Sequence, residues 1–308
     1  MSSDCEALTA HLTDALRTSV NADGGWGYFR GKTSRLEPTC WAALALLGST
    51  SATTGHELPH AAIARIARWQ SADGLLSDTP GAPSNIAFNG LAMVVIHHAR
   101  ESYGRDESPS PSIAEKLLSA VVDTKGTTVW LNNINRQNNR LVGWPWNTGT
   151  FSWIEPTSWC LLGLKVATNP QPPAAVAARM EEAERVLVDR CCHLGGWNAG
   201  NSNMLGKELP PYVPTTALAL LALQDRAGGS EVTRSIGWLT RNWSREVSGL
   251  SSSLTIVAMG VYGLQVEALR QSLCNRISQN GIPENVTTAA MVLYALTGMR
   301  HKYGAFRL

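Results

Sequence analysis

A glycine-tryptophan segment followed directly by an apolar helix recurs along this chain. The three copies occupy residues 24–48, 141–165 and 195–223. Trp26 and Trp144 are 118 residues apart, and so are Glu37 and Glu155, so the first two copies align without an insertion. The third copy is looser and has Val213 where the others have glutamate. Because a repeated unit must stack on its neighbours to bury its apolar face, this repeat constrains the fold first.

Two kinds of helix alternate between these segments. Amphipathic spacing of apolar residues predicts helices at residues 5–19, 59–71, 112–123, 174–193, 230–242 and 267–278. Almost uniformly apolar stretches predict helices at residues 38–48, 84–98, 155–167, 214–224, 253–264 and 285–296. An amphipathic helix keeps one face in water, whereas a helix that is apolar all round is buried by its neighbours.

The alternation predicts an all-α fold, an (α/α)6 toroid of six outer and six inner helices formed by residues 1–308 as a single domain. An open solenoid of helical pairs is the alternative, since its repeat lengths overlap with these. Solenoids of that kind use short turns, whereas several connections here exceed ten residues and carry tryptophan. We therefore favour the toroid.

Composition excludes some classes of partner. Charged residues make up 16% of the chain and the net charge is +2, which argues against nucleic acid. The longest nearly uncharged apolar stretch, Leu254–Leu264, is far shorter than a membrane span requires. The N-terminus lacks a basic region followed by an apolar run, so we see no signal peptide and expect a cytoplasmic protein. A homodimer stays an open option.

The six cysteines match no secreted framework spacing. Several lie on apolar helical patterns, as Cys40 and Cys160 do. We expect reduced, mostly buried thiols. The adjacent Cys191, Cys192 and His193 suggest zinc, but neighbouring helical residues point about 100° apart and rarely share a metal. We therefore interpret this trio as structural, and expect neither a metal nor a cofactor.

Glu37 and Glu155 are the candidate catalytic residues. Each precedes a Pro-Thr pair at the start of a predicted inner helix. One interpretation is capping, because a carboxylate accepts free N–H groups at the positive end of a helix. The other is an acid or base that lines the mouth of the central cavity. Burial raises a carboxyl pKa while N–H bonds lower it, so the sequence leaves both interpretations open.

The aromatic residues divide into two sets. Trp26, Trp144 and Trp197 recur at equivalent places, which indicates anchors that staple neighbouring helix pairs. Other residues do not follow the repeat, and we expect them to bind substrate. They are Trp146, Trp153, Trp159, Trp41, Tyr28, Tyr212 and Asn285. Asn285 either belongs to a polar ring with the two glutamates or caps its helix.

The repeats resemble those of a known superfamily. Gly-Gly-Trp loops followed by Thr and an Ala/Leu helix, as in GGWGY…EPTCWAALAL, are similar to the repeats of squalene and oxidosqualene cyclases and protein prenyltransferases. The run Gln70–Leu75 resembles the cyclases' Gln-Trp motif, with Leu75 in place of the aromatic residue. The resemblance covers nearly the whole chain and implies a toroid of the terpenoid cyclase and prenyltransferase superfamily.

The family's catalytic motifs are missing from the matching places. The chain contains no Asp-x-Asp-Asp acid motif. A prenyltransferase-type Asp-x-Cys occurs as Asp189-Arg190-Cys191, but before a Gly-Gly-Trp loop rather than after one. No catalytic residue of the family therefore transfers to this sequence.

The leading functional hypothesis is an enzyme that acts on an isoprenoid or another hydrophobic small molecule. It would be a cyclase or isomerase that uses acid chemistry, with Glu155 as proton donor or base and Glu37 as its polar partner. The first alternative is a non-catalytic toroid that binds ligands or acts as a scaffold. The second is a zinc-dependent prenyltransferase-like subunit with a partner chain.

Overall fold

The computed structural model describes residues 3–49, 57–103, 111–128, 134–298 and 304–308. Within these residues the outer helices are α1 (Ser3–Ser19), α3 (Glu57–Ala67), α5 (Pro111–Asp123), α7 (Ala174–Asp189), α9 (Ser230–Asn242) and α11 (Glu267–Asn280). The inner helices are α2 (Leu36–Ser49), α4 (Ile86–Tyr103), α6 (Ile154–Thr168), α8 (Val213–Ala222), α10 (Gly249–Val261) and α12 (Val286–Thr297). A two-residue hairpin, β1 (Asn203–Met204) with β2 (Lys207–Glu208), and 3₁₀ turns at Gln224–Arg226, Trp243–Arg245 and Gly304–Phe306 complete the elements described.

The inner helices form a closed ring. Each packs on the next from α2 to α12, and α12 returns to contact α2. The outer helix α1 lies against both α11 and α12, which closes the outer layer at the same place. The predicted toroid and its alternation of helices are confirmed. No helix within the described residues combines the length and apolarity that crossing a bilayer would require.

Several predicted boundaries differ from the structure, and three of the differences have a clear description. Helix α7 ends at Asp189, not at His193, because the Cys192 N–H turns away to bond the Gly196 carbonyl. Helix α4 runs on to Tyr103, through residues predicted as loop. Helix α10 begins at Gly249, four residues early, since the Ser248 hydroxyl caps it by accepting the Ser251 N–H.

The expectation that all cysteines are reduced is wrong for one pair. Cys5 on α1 and Cys274 on α11 form a disulfide across a sequence separation of 269 residues. Ring closure places these two outer helices side by side, and nothing in the sequence spacing reveals that neighbourhood. The other four cysteines are free, and Cys40, Cys160 and Cys192 among them are buried.

The recurring tryptophans anchor each loop between an outer and an inner helix. Trp26 donates its indole N–H to the Leu16 carbonyl of α1 at 2.9 Å, and its backbone N–H to the Thr39 hydroxyl of α2 at 3.0 Å. Trp144 and Trp197 make the same two bonds, to Val121 and Thr157 and to Leu187 and Thr216. All three indoles are fully buried. The prediction that these tryptophans are staples is confirmed.

In the second repeat the loop is anchored to its inner helix without an aromatic ring. Leu76, not Leu75, occupies the tryptophan place, since its N–H and carbonyl both bond the Asn89 side chain on α4. Asn89 therefore takes the role that threonine has in the other repeats.

Neighbouring repeats are joined by one recurrent hydrogen bond. The residue two places after each anchor gives its carbonyl to the first N–H of the preceding inner helix. The four such bonds are Leu36 N to Asp78 O (3.0 Å), Ile86 N to Trp146 O (3.0 Å), Ile154 N to Ala199 O (3.1 Å) and Val286 N to Tyr28 O (2.8 Å). Since these N–H groups have no partner within their own helices, each loop satisfies the helix of its neighbour.

The centre of the ring is filled by the chain itself. Phe306 is fully buried, and its ring centroid lies 5.7 Å from that of Trp41, 6.1 Å from Trp159 and 5.2 Å from Tyr294. Gln224 holds this segment by donating its side-chain amide to the Phe306 carbonyl and accepting the Leu308 N–H. The apolar interior of the toroid is therefore an aromatic core.

Helices α4 and α6 pack at the closest approach that a backbone allows. A Cβ atom added to Gly90 would lie 2.5 Å from the Trp159 carbonyl carbon, and one added to Gly163 would lie 2.6 Å from the Gly90 carbonyl oxygen. Both distances are far below van der Waals contact. Two glycines that face each other therefore set the spacing of this pair.

We expect Gly90→Ala to lower the free energy of unfolding by roughly 1–3 kcal/mol, because the new methyl collides with backbone that has no room to move. Gly237→Ala on outer helix α9 is the matched control, since its added Cβ would meet only the flexible end of Arg241. That variant should be neutral or more stable by up to about 1 kcal/mol. Urea unfolding measures both, and equal effects at the two positions would contradict the proposed close approach.

Candidate functional site

The polar site lies at the end of the ring where the inner helices begin. We call this end the loop face; it is formed by the segments that precede the inner helices. The inter-repeat hydrogen bonds place Tyr28, Asp78, Trp146 and Ala199 at equivalent positions around it. Glu37 and Glu155 are the second residues of α2 and α6 and belong to the same end.

Glu37 is held by a tyrosine. The Tyr28 hydroxyl donates to Glu37 Oε2 at 2.7 Å. Burial raises the pKa of Glu37, the bond from Tyr28 lowers it, and the nearby charge of Asp78 raises it, so the net pKa is above the ordinary value. Burial and the charge of Glu37 raise the pKa of Tyr28, which keeps that phenol a donor. Glu37 thus has a fixed orientation.

Glu155 has a different environment. Among the described residues none forms a hydrogen bond or ion pair with its carboxylate, which is partly accessible to solvent. Burial, and after it the negative charge of Glu37, raises the pKa of Glu155 from 4.5 to about 7. A carboxyl group of this kind is still protonated near neutral pH, which suits a proton donor.

Neither glutamate acts as a helix cap among the contacts described. Helix α6 has Trp153 as its N-cap with no side-chain bond, and the Ile154 N–H is bound by Ala199 instead. The Glu37 bond described goes to Tyr28 and not to an N–H of α2. A carboxylate held near the start of a helix but free of its N–H groups is available for chemistry.

Four of the predicted substrate-binding residues lie at the loop face with Tyr28. Trp146 is half-buried and packs edge-on against Phe88, with ring centroids 6.4 Å apart. Trp153 is half-buried and stacks on Phe151, with centroids 4.9 Å apart. Tyr212 is 46% exposed beside the start of α8. Asn285 caps α12, since its side-chain oxygen accepts the Thr288 N–H at 3.0 Å.

The structure does not bring Trp41 and Trp159 to this face. Their side chains are 2% and 4% exposed and belong to the aromatic core around Phe306. They were expected to line a pocket, and the packing of Phe306 against both rings leaves them no open surface. The asparagine-rich segment 130–140 is described only from residue 134, so its Asn132 and Asn133 lie outside the described residues.

The site also contains an ion pair between Arg35 and Asp78 that was not predicted from the sequence. Arg35 Nε donates to Asp78 Oδ2 at 2.7 Å, and Nη2 contacts the same oxygen. Asp78 is 7% exposed. The sequence feature that points to Asp78 is its position in the repeat. Asp78 follows Leu76 by two residues, as Tyr28 follows Trp26. Because the second repeat has Leu76 in place of an aromatic anchor, the sequence alone does not reveal that equivalence.

The described residues contain no group of three or more His, Cys, Asp or Glu side chains arranged to hold a metal ion. The Cys191 sulfur lies 3.7 Å from the Ser235 hydroxyl, Cys192 is buried and His193 is exposed. These three side chains therefore do not converge on a common point.

Comparison with known proteins shows the fold. No family model matches the chain, and neither does any curated protein. An alpha-amylase from Clostridium perfringens aligns with a TM-score of 0.67 and 10% identity, over 94% of this chain and 97% of its own. A GH76 α-mannanase from Bacteroides thetaiotaomicron aligns with 0.70 and 10%, over 96% of both chains.

A type II terpene cyclase from Scytonema aligns with a TM-score of 0.61 and 13% identity, over 98% of this chain and 100% of its own. These identities are too low to transfer an activity. Since the similar structures include glycoside hydrolases and a terpene cyclase, they support the α/α toroid as the fold and single out no activity.

We expect Glu155→Gln to stabilise the protein at high pH and not at low pH. The folded state holds the Glu155 proton more tightly than the unfolded state, so the free energy of unfolding falls as the pH rises from 4.5 to about 7. A pKa rise of this size lowers the free energy of unfolding by at most about 3 kcal/mol. The variant should gain up to that amount at pH 8 and be unchanged at pH 4, as urea unfolding would show.

Glu181→Gln, on the exposed side of α7, is the control and should leave the pH dependence of unfolding unaltered. If Glu155 served as a helix cap, its replacement would instead destabilise the protein at pH 8.

Proposed function

We propose that this protein is an enzyme that performs acid–base chemistry at the loop face, with Glu155 as the acid and Glu37 as the base or nucleophile. The observation that carries the proposal is a pair of carboxylates in contrasting environments. Glu155 is unpartnered and its pKa is about 7, whereas Glu37 accepts a hydrogen bond from Tyr28. Environments that separate two neighbouring carboxyl groups in this way assign them opposite roles.

A glycoside is the substrate class that we favour. Half-buried or exposed aromatic side chains, Trp146, Trp153 and Tyr212, stand at the same end as the two acids and offer flat faces to a sugar ring. Phe306 occupies the apolar interior, so a sugar would bind at the polar loop face. The similar structures include proteins described as an alpha-amylase, a β-1,3-1,4-glucanase and α-mannanases, which adds support by analogy of fold.

The reaction requires two groups. Glu155 gives its proton to the glycosidic oxygen as the bond from the anomeric carbon to that oxygen breaks. Glu37 takes a proton from an attacking water or bonds to the anomeric carbon directly, and water completes the hydrolysis. The Tyr28 hydrogen bond orients the Glu37 carboxylate for either course.

The second candidate is the cyclase or isomerase that acts on a hydrophobic molecule. It is favoured by the cluster of Trp41, Trp159 and Tyr294, because aromatic faces stabilise cations. The Gly-Trp repeats and the terpene cyclase among the similar structures point the same way. In this case the ligand would have to displace Phe306 from the core.

We expect the protein to hydrolyse at least one glycan in a panel of α-1,6-mannan, starch and mixed-linkage β-glucan, as read by chromatography of the released sugars. Glu155→Gln and Glu37→Gln should each reduce kcat/KM by roughly 10²–10⁴-fold, whereas Glu181→Gln should have no effect. Squalene and polyprenyl diphosphates form the second arm, read by mass spectrometry. If these lipids are converted and every glycan stays intact, the cyclase or isomerase replaces the glycoside hydrolase as the function. If neither class of compound is converted, the proposal of an enzyme is wrong and a non-catalytic binding protein takes its place.

An aryl glycoside of the active sugar, with a dinitrophenyl leaving group, separates the two roles. Such a leaving group departs without protonation, so Glu155→Gln should keep most of its activity on this substrate, whereas Glu37→Gln should lose it. Equal losses in the two variants would contradict the assignment of Glu155 as the acid.

A further inference from the structure

The ion pair of Arg35 and Asp78 lies beside Glu37. Arg35 packs on Tyr28, and Asp78 binds the backbone N–H of Leu36. The guanidinium of Arg35 lies 5.8 Å from the ring centroid of Tyr28, whose hydroxyl binds Glu37. Asp78 lies where its negative charge acts on Glu37 and raises the pKa of that carboxyl. None of the contacts described joins Arg35 to Glu37 or Glu155 directly, so any influence of Arg35 passes through these two residues.

Asp78 is fixed from two sides. Its carboxylate accepts the Arg35 guanidinium at Oδ2 and the Leu36 N–H at Oδ1, the latter at 3.2 Å. Its own carbonyl accepts the same N–H at 3.0 Å. Since Leu36 precedes Glu37 in the first turn of α2, this clamp also locates the backbone that carries Glu37.

Several ionisable groups interact around Glu37. The ionisable groups that interact here are Glu37, Asp78, Glu155, Tyr28 and Cys40, together with Arg35. Burial holds the pKa of Cys40 well above its ordinary value, so that thiol carries no charge. Among these interacting groups three are carboxyl groups and Arg35 is the cation, paired with Asp78. A buried carboxylate that loses its cation repels its neighbours and makes them bind protons more tightly.

We propose that Arg35 is a positioning residue of this site: by pairing with Asp78 and packing on Tyr28, it offsets the negative charge beside Glu37 and keeps that carboxyl group oriented for the reaction. This deepens the proposed function and rests on it. The charge of arginine carries the electrostatic part of this role, and its planar guanidinium adds orientation, because it binds Asp78 and lies beside the tyrosine ring.

The test compares Arg35→Gln with Arg35→Lys, and with Arg30→Gln in the same loop, where Arg30 is exposed. In Arg35→Gln the acid limb of the kcat/KM profile should move up by about one pH unit, because unpaired Asp78 raises the pKa of Glu37. Arg35→Lys should recover most of that shift, since it keeps the charge, and Arg30→Gln should match the wild type. A lower melting temperature with an unchanged profile would show a merely structural role and overturn the proposal.

Titration of the full chain labelled with [δ-¹³C]glutamate gives a readout that needs no turnover. Glu37→Gln and Glu155→Gln assign the two signals, and the Glu37 midpoint should rise by about one pH unit in Arg35→Gln. If that midpoint rises while no substrate is converted, the electrostatic link stands and the proposed reaction fails. If a glycan is hydrolysed and the midpoint is unmoved, the reaction stands and the role of Arg35 fails.

If Arg35→Gln fails to fold, Asp78→Asn tests the same electrostatic link by titration of Glu37. Removal of the negative charge should lower the Glu37 midpoint, the opposite sign from Arg35→Gln. The double variant should return close to the wild-type value, since the charge that Arg35 balances is then absent. Single and double variants with the same midpoint would contradict the coupling.

Discussion

The ring depends on one recurrent contact between repeats. In four repeats a hydrogen bond passes from the loop to the inner helix of the preceding repeat. It runs from the second residue after each anchor to the first N–H of that helix, at 2.8–3.1 Å in four repeats. The bond from Val286 to Tyr28 joins the last repeat to the first. Because helix N-termini carry unpaired N–H groups, these four loops each complete a neighbouring helix, and the Val286 bond forms only when the ring closes.

The same geometry builds the candidate site. A residue that lends its carbonyl to the neighbouring helix is held at the loop face, so Tyr28, Asp78 and Trp146 reach the mouth by a structural rule. Their side chains are free to differ, because the bond uses only the backbone. The chemical character of this end is therefore set by residue identity at one repeated position, together with the two glutamates beside it.

The interior of the ring and its loop face differ in chemistry. The interior is closed by Phe306 against Trp41, Trp159 and Tyr294, an aromatic core without charge. The loop face gathers three carboxylates and one guanidinium. The fold is shared with a terpene cyclase and with glycoside hydrolases, so the side chains at these places, and not the fold, decide the chemistry.

The sequence by itself determined the toroid, the alternation of helices and the role of the anchors Trp26, Trp144 and Trp197, because helical periodicity and repeat spacing are local properties of the chain. It also singled out Glu37 and Glu155. Only the tertiary structure decided that Trp41 and Trp159 are core, that Cys5 meets Cys274, and that Asp78 joins Arg35 beside Glu37. Those contacts join residues of different repeats, and closing a ring brings together positions that no spacing along the chain relates.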